Sequence, residues 1–254
     1  MANPLQSNVV WNRPMQRNVI ILTNGLTGSS VLAGLIAAAG YWTGEDTFKK
    51  SDYDTYENSG LIAVNLQLLK EVDYTGDYAM VFRAKDIREI TEKSARVDPA
   101  PYRSFVENCD RHQPWIWKDP RLWLTVRFWR QCIDVDRVRF VVMRRDYEQT
   151  WISLTLRRQI QTPEYSRNYR DGITNSIFEF LQDNDLEYLD IVYEDLLVHP
   201  ENTIGRLNAY LGSGITMEHL NRVYHGPLYR KQRGWLDYVK ANLIYFKNYS
   251  ERWR

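Results

Sequence analysis

The chain has 254 residues, 44% of them hydrophobic, enough for a real core and predicting one domain over 1–254. Lys and Arg number 33 against 32 Asp and Glu, a formal charge of +1, so no global field favours nucleic acid or an anionic membrane and any anion site must be built locally. The two cysteines, Cys109 and Cys132, lie in no metal-ligating spacing and are too few for a disulfide framework, so they read as structural thiols in a reducing compartment.

Residues 1–17 have no long apolar run and no small-residue cleavage pattern, and read as a loose arm rather than a secretory signal. No later stretch reaches the roughly 20 apolar residues that span a bilayer. A cytoplasmic protein is expected. The first regular unit is a strand from Val19 to Thr23, then the turn "NGLTGSS", then a helix from about Ser29 to Ala39 with Gly40 in the left-handed position beyond its end. Ala33, Gly34, Ala37, Ala38 and Ala39 are small, which lets that helix lie close on a sheet. In the turn, Gly25, Thr27, Gly28, Ser29 and Ser30 follow a strand and open a helix, a geometry that offers backbone N–H groups and hydroxyls to an anion. The Gly-Lys-Ser or Gly-Lys-Thr ending of a Walker loop is missing, which disfavours ordinary ATP or GTP chemistry. Taken alone, the stretch is equally a tight connection that binds nothing.

Residues 43–60, "TGEDTFKKSDYDTYENSG", read as a long surface loop, residues 61–72 as a helix, and "YAMVFRA", residues 78–84, as a second strand. Three later segments repeat the passage from apolar strand to helix: "WIWKDPRLWLTVRFWRQ", "VRFVVMRRDYEQTWISLTLRRQ" and "LDIVYEDLLVHPENTIGRLNAYLG". Strands alternating with helices predict a parallel sheet wound by right-handed crossovers, with the ligand at the carboxyl ends of the strands. Pro200 and Gly212 bracket the last of these helices. The basic, aromatic C-terminus reads as part of the same domain, while the 9 Trp and 17 Tyr fit pockets and interfaces alike.

Two strand ends carry polar groups suited to chemistry. Lys118 and Asp119 end a strand before Pro120, so Lys118 projects from the same sheet edge as the turn; the plainer reading is a solvated lysine, with Asp119 as a helix cap. Asp146 with Gln149 resembles a capping box, and Gln149, Ser153 and Arg157 then share a helix face. Arg145 at the strand end and Ser153 on the helix can close on one phosphate, or Arg145 belongs to a surface arginine cluster.

In this order and spacing the segments resemble the sulfotransferases that use 3′-phosphoadenosine 5′-phosphosulfate, most closely the bacterial branch whose first loop reads Arg-Ser-Gly-Thr-Ser. The resemblance runs from the first strand to Gly212. It implies a three-layer α/β fold, a central parallel sheet flanked by helices as in P-loop NTPases. Thr27, Gly28, Ser29 and Ser30 then match the 5′-phosphosulfate loop, "KDPR" the family's strand end, and Arg145 with Ser153 the pair at the 3′-phosphate, with Leu154 and Arg157 continuing that pattern. "RKQRGW" matches a further nucleotide-binding segment in part, through Arg230 and Lys231. Leu26 stands where the family loop has arginine, and Tyr147 where it has proline.

The resemblance implies in-line transfer of a sulfuryl group, without a metal, to a hydroxyl or amine of a small-molecule, carbohydrate or lipid acceptor. No nucleic acid, no membrane span and a monomer or homodimer are expected. Lys118 is the first choice to stabilise charge on the leaving oxygen. The general base is Glu45 or Asp46, whose "GEDT" is similar to a Gly-Glu-Glu-Thr segment of protein-tyrosine sulfotransferases, or Glu57, or His112. Trp42, Tyr53 and Tyr56 are candidates for an acceptor pocket. Two other classes stay open: a catalytically silent nucleotide-binding protein, because of Leu26, and a P-loop kinase, against which the absent lysine speaks.

Overall fold

Every residue of strand β1 (Asn18–Thr23) is buried, as befits a run of β-branched and leucine side chains with helices on both sides. The structure, a computed structural model, describes residues 16–51, 53–224 and 234–252. Arg230 and Lys231 lie outside the described residues, as does all but the end of the expected N-terminal arm. Strand β1 pairs in parallel with β4 (Ile116–Lys118) on one side and β5 (Val138–Arg144) on the other, and β5 pairs in parallel with β6 (Tyr188–Val192). The order is β4-β1-β5-β6. The chain leaves β1 toward β4 and later returns to its other side as β5. This reversal opens a crevice at the carboxyl end of β1, where ligands of such sheets bind.

Alternation along the strands divides the core into two layers. Ile20, Leu22, Phe140 and Val142 face one layer with Trp115 and Trp117; Val19, Ile21, Val141, Met143 and Ile116 face the other. The first layer is covered by α2 (Ser59–Glu71), α3 (Ala84–Ser94), α4 (Ala100–Asp110), α5 (Leu122–Trp129) and α7 (Pro163–Asp183). The second is covered by α1 (Ser29–Ala38), α8 (Tyr193–Val198), α9 (Pro200–Leu211) and α10 (Met217–Val223). This is the expected three-layer arrangement. Helix α6 (Tyr147–Leu156) follows β5 and carries α11 (Trp235–Lys247) through contacts of Trp151 and Ile152 with Ala241 and Tyr245.

The strand-to-helix signals are realised closely. Gly40 has φ +96, two residues past α1, and Gly212 caps α9 at φ +66. Asp146 caps α6 by accepting from the Gln149 N–H at 3.0 Å. Two expectations fail. Residues 43–60 are not simply loop: they hold a two-stranded antiparallel pair, β2 (Thr47–Lys49) with β3 (Asp54–Asn58), in which Thr55 and Asn58 are buried. Residues 78–84 form no strand. Hydrogen bonds from Tyr165 Oη to the Met80 carbonyl (2.9 Å) and from Tyr169 Oη to the Ala79 carbonyl (2.8 Å) draw that segment onto α7 and take up its carbonyls.

The tryptophans serve packing. Trp115, Trp117, Trp123 and Trp129 are fully buried, with ring centroids 4.5 Å apart for Trp115–Trp117 and 4.9 Å for Trp117–Trp129. Each such pair adds about 0.5–1.5 kcal/mol beyond the area it buries. They clamp a strand of only three residues, the one that ends in Lys118.

Candidate functional site

The turn after β1 coils through positive φ at Gly25 (76°), Leu26 (52°) and Gly28 (81°), which aims successive backbone N–H groups toward one side. Glycine is required at position 28 twice over, since a Cβ there would also lie 2.2 Å from Cδ2 of Tyr193. Gly28 is the N-cap of α1, and no side chain caps the helix and no acid sits in its first turn. Asn58, Asp146 and Thr162 cap α2, α6 and α7 by their side chains, while α4 and α5, like α1, have neither a side-chain cap nor an acid in the first turn; α1 differs in that its start lines the cavity. Thr27 is turned inward, its hydroxyl hydrogen-bonded to that of Thr23. The bare end of α1 carries the positive end of the helix dipole onto a cavity of about 520 Å³.

Lys118 leaves the carboxyl end of β4 into the same cavity. Its Nζ donates to Ser30 Oγ at 3.3 Å and to the Thr55 carbonyl at 3.4 Å, and forms an ion pair with Glu57. The side chains of the pair are only 6% and 13% exposed, so this lysine is not a solvated surface group. Asp119, fully buried, takes the structural role: its Oδ1 accepts from the Arg121 N–H at 2.7 Å and its carboxylate pairs with the Arg121 guanidinium. Burial raises the Asp119 pKa and Arg121 opposes the shift.

Arg145, Ser153 and Arg157 line the same cavity. Arg145 Nη1 donates to the Leu26 carbonyl at 3.3 Å, its Nε lies 3.5 Å from Glu194 Oε1, and its guanidinium lies over the Tyr193 ring at 5.1 Å. Ser153 Oγ donates back to the Gln149 carbonyl at 2.8 Å, and the residue lines the cavity from α6. Gly25, Leu26, Gly28, Ser29, Ser30, Lys118, Glu57 and Tyr53 line this same space. The structure thus brings together both strand ends and the turn, groups separated by up to about half the chain.

Other sequence candidates stand elsewhere. Glu45 pairs with His112 at 3.5 Å, and His112 stacks on Trp42 at 4.6 Å, while Trp42 bridges Trp115 at the amino end of β4. Asp46 accepts from Ser59 Oγ at 3.4 Å. Tyr56 packs against Gly34 of α1, where a Cβ would meet its ring at 2.6 Å. None of Glu45, Asp46, His112, Trp42 and Tyr56 is among the residues lining the cavity.

The sequence did not single out Tyr193, Glu194 or Arg170. Tyr193 closes the floor beneath Gly28, and burial holds its phenol above the usual range. Arg170 of α7 is buried; its Nη2 donates to the Arg145 carbonyl at 2.5 Å and its Nη1 to the Asp146 carbonyl at 3.3 Å, so it fixes the end of β5. "YEDLL" signalled the segment that supplies Tyr193 and Glu194, but nothing local marked Arg170.

No family model matches the chain, and no curated protein does. Solved structures do. The sulfotransferase domain from the Synechococcus PCC 7002 olefin synthase superposes with a TM-score of 0.52 at 15% identity, over 93% of this chain and 98% of that one. The fold is that of the sulfotransferases. The sulfotransferase domain from the curacin biosynthetic pathway gives 0.51 at 14% identity, over 86% of this chain and 81% of that one. In this sulfotransferase fold the cavity described above lies at the carboxyl edge of the sheet. Tyr147, at the first position of α6, links helices here: its hydroxyl donates to the Pro163 carbonyl and Arg167 lies over its ring at 4.8 Å.

Proposed function

We propose that the protein transfers a sulfuryl group from 3′-phosphoadenosine 5′-phosphosulfate to a hydroxyl or amine of a small acceptor. The observation that carries this reading is the contact between Lys118 Nζ and Ser30 Oγ at the uncapped start of α1. A cation lies there beside the uncapped N–H groups of a helix start, a pairing that suits an oxygen that gains negative charge. On this reading the turn and Lys118 take the 5′-phosphosulfate, and Arg145 and Ser153, which line the same cavity, take the 3′-phosphate.

In the reaction the acceptor oxygen or nitrogen forms a bond to sulfur as the bond from sulfur to the bridging oxygen breaks. The electron pair goes to the 5′-phosphate, where Lys118 and the N–H groups of the turn meet it. Glu57 is the base on this reading, since its carboxylate lies on the cavity wall against Lys118 and can accept the acceptor's proton. Glu57 gives the proton up to solvent as the products leave, and its ion pair with Lys118 re-forms.

Calorimetric titration with 3′-phosphoadenosine 5′-phosphate, its 3′-dephosphorylated analogue and ATP tests the reading. The 3′-phosphorylated nucleotide should bind most tightly. Arg145→Ala and Ser153→Ala should each weaken it by about tenfold or more, as for a lost charge-assisted hydrogen bond of about 1.5–3 kcal/mol, and scarcely alter the analogue. Preference for ATP would overturn the proposal. Leu26 favours a second reading, a protein that binds the nucleotide without turnover. Binding by the wild type with transfer only after Leu26→Arg would establish that alternative.

A further inference from the structure

Helix α11 uses one side for packing, through Ala241, Tyr245 and Ile244 against α6, and leaves another apolar side uncovered. Among the described residues nine large hydrophobics are exposed, and six of them, Trp235, Leu236, Tyr238, Leu243, Phe246 and Tyr249, fall in this one short segment. At 100° per residue the five on the helix itself and the half-buried Val239 occupy a continuous arc of about 160°, interrupted only by Asn242. Lys240 and Lys247, both exposed, lie together just beyond the Leu236 edge of that arc. Asp237 falls outside it.

Charge says what such a stripe meets. Of the last 25 residues seven are Lys or Arg and two are acidic, whereas the preceding part of the chain carries more acids than bases. The basic excess thus falls in the same sequence segment as the exposed apolar side chains, and of the described residues Lys240 and Lys247 lie on the helix itself. A Trp, Tyr, Phe and Leu stripe flanked by lysines is the pattern of a helix lying in the interface of an anionic bilayer, rings among the headgroups and ammonium groups at the phosphates. Self-pairing is disfavoured by the same layout, because an antiparallel two-fold pair of these helices would set one lysine edge against the other.

We propose that the exposed face of α11 docks the protein peripherally on an anionic lipid surface. The inference stands apart from the nucleotide site.

Flotation of the full chain with vesicles of phosphatidylcholine, with and without 30% phosphatidylglycerol, tests it. The wild type should float with the anionic vesicles, at least tenfold less with phosphatidylcholine alone, and be released by 0.5 M salt. Leu243→Asp/Phe246→Asp should lose at least tenfold of the bound fraction while keeping the wild-type melting temperature, both sites being exposed. Lys240→Glu/Lys247→Glu should lose binding through charge alone. Failure of the wild type to float, or flotation unchanged in the variants, overturns the proposal. So does a vesicle-independent dimer that Leu243→Asp/Phe246→Asp converts to monomer, which would assign the stripe to a second copy of the chain.

Discussion

Lys118 and Glu57 are almost wholly out of water and hold each other in place, so removing either leaves an uncompensated charge. Breaking a buried pair from one side costs about 3–5 kcal/mol, whereas removing both members costs much less. Lys118→Ala should therefore lower the melting temperature, and Lys118→Ala/Glu57→Gln should recover much of that loss. Turnover should behave differently. Loss of one aimed donor lowers kcat by roughly a hundred- to a thousandfold, and the double variant should not restore it. A pH–rate profile separates the partner's roles: if Glu57 is the base, the wild-type profile has an acidic limb that Glu57→Gln abolishes. The same substitution at Glu45 or Asp46, which lie off the cavity wall, should leave the limb intact.

For α1 the decisive feature is what its first turn lacks. Without a side-chain cap or an acid, its N–H groups are directed to the cavity, and the close approach of Tyr193 to Gly28 fixes where they point. Gly28→Ala should cost at least about 1 kcal/mol from the left-handed backbone alone and more from displacement of the Tyr193 ring. Denaturant midpoints should show the destabilisation, and nucleotide affinity should fall with it because the N–H groups turn away. The helices that follow the strands were legible because their signals are local: Gly40, Pro200, Gly212 and Asp146 act within a few residues. The β2–β3 pair was not, since β2 has only three residues and the stretch around it is polar. Residues 78–84 have an apolar composition that suits a strand, yet Tyr165 and Tyr169, some 90 residues on, capture their carbonyls.

Across the whole molecule, the cavity sits where β1 separates from both neighbours, with walls drawn from β3, β4, the β5–α6 junction and α7. A ligand that touches all of them should couple them. At a concentration about 100 times its Kd, 3′-phosphoadenosine 5′-phosphate should add about 2.7 kcal/mol to unfolding and raise the melting temperature by roughly 5–10 °C. ATP at equal concentration should give less than half of that shift. At the same concentration an Arg145→Ala protein should keep about half of the shift given by the 3′-phosphorylated nucleotide, as a tenfold loss of affinity implies, and nearly all of the smaller shift given by ATP.

From the sequence alone come the alternation of strand and helix, the glycine turn, and the order of turn, Lys118 and the Arg145–Ser153 pair. These are readable because periodicity, caps and short spacings are properties of neighbouring residues. Folding alone decided which acids share a wall with Lys118. Glu57 lies 61 residues before it and reaches it through a strand pair the sequence concealed, while Glu45 and Asp46, just as acidic, fall elsewhere. Likewise the tryptophans, ambiguous in composition, became the clamp of β4 once the sheet stacked them, and Arg170 met the end of β5 only through α7. The physical reason is the same in each case: a contact's energy depends on three-dimensional neighbours and local desolvation, and neither is encoded within a few residues of the groups concerned.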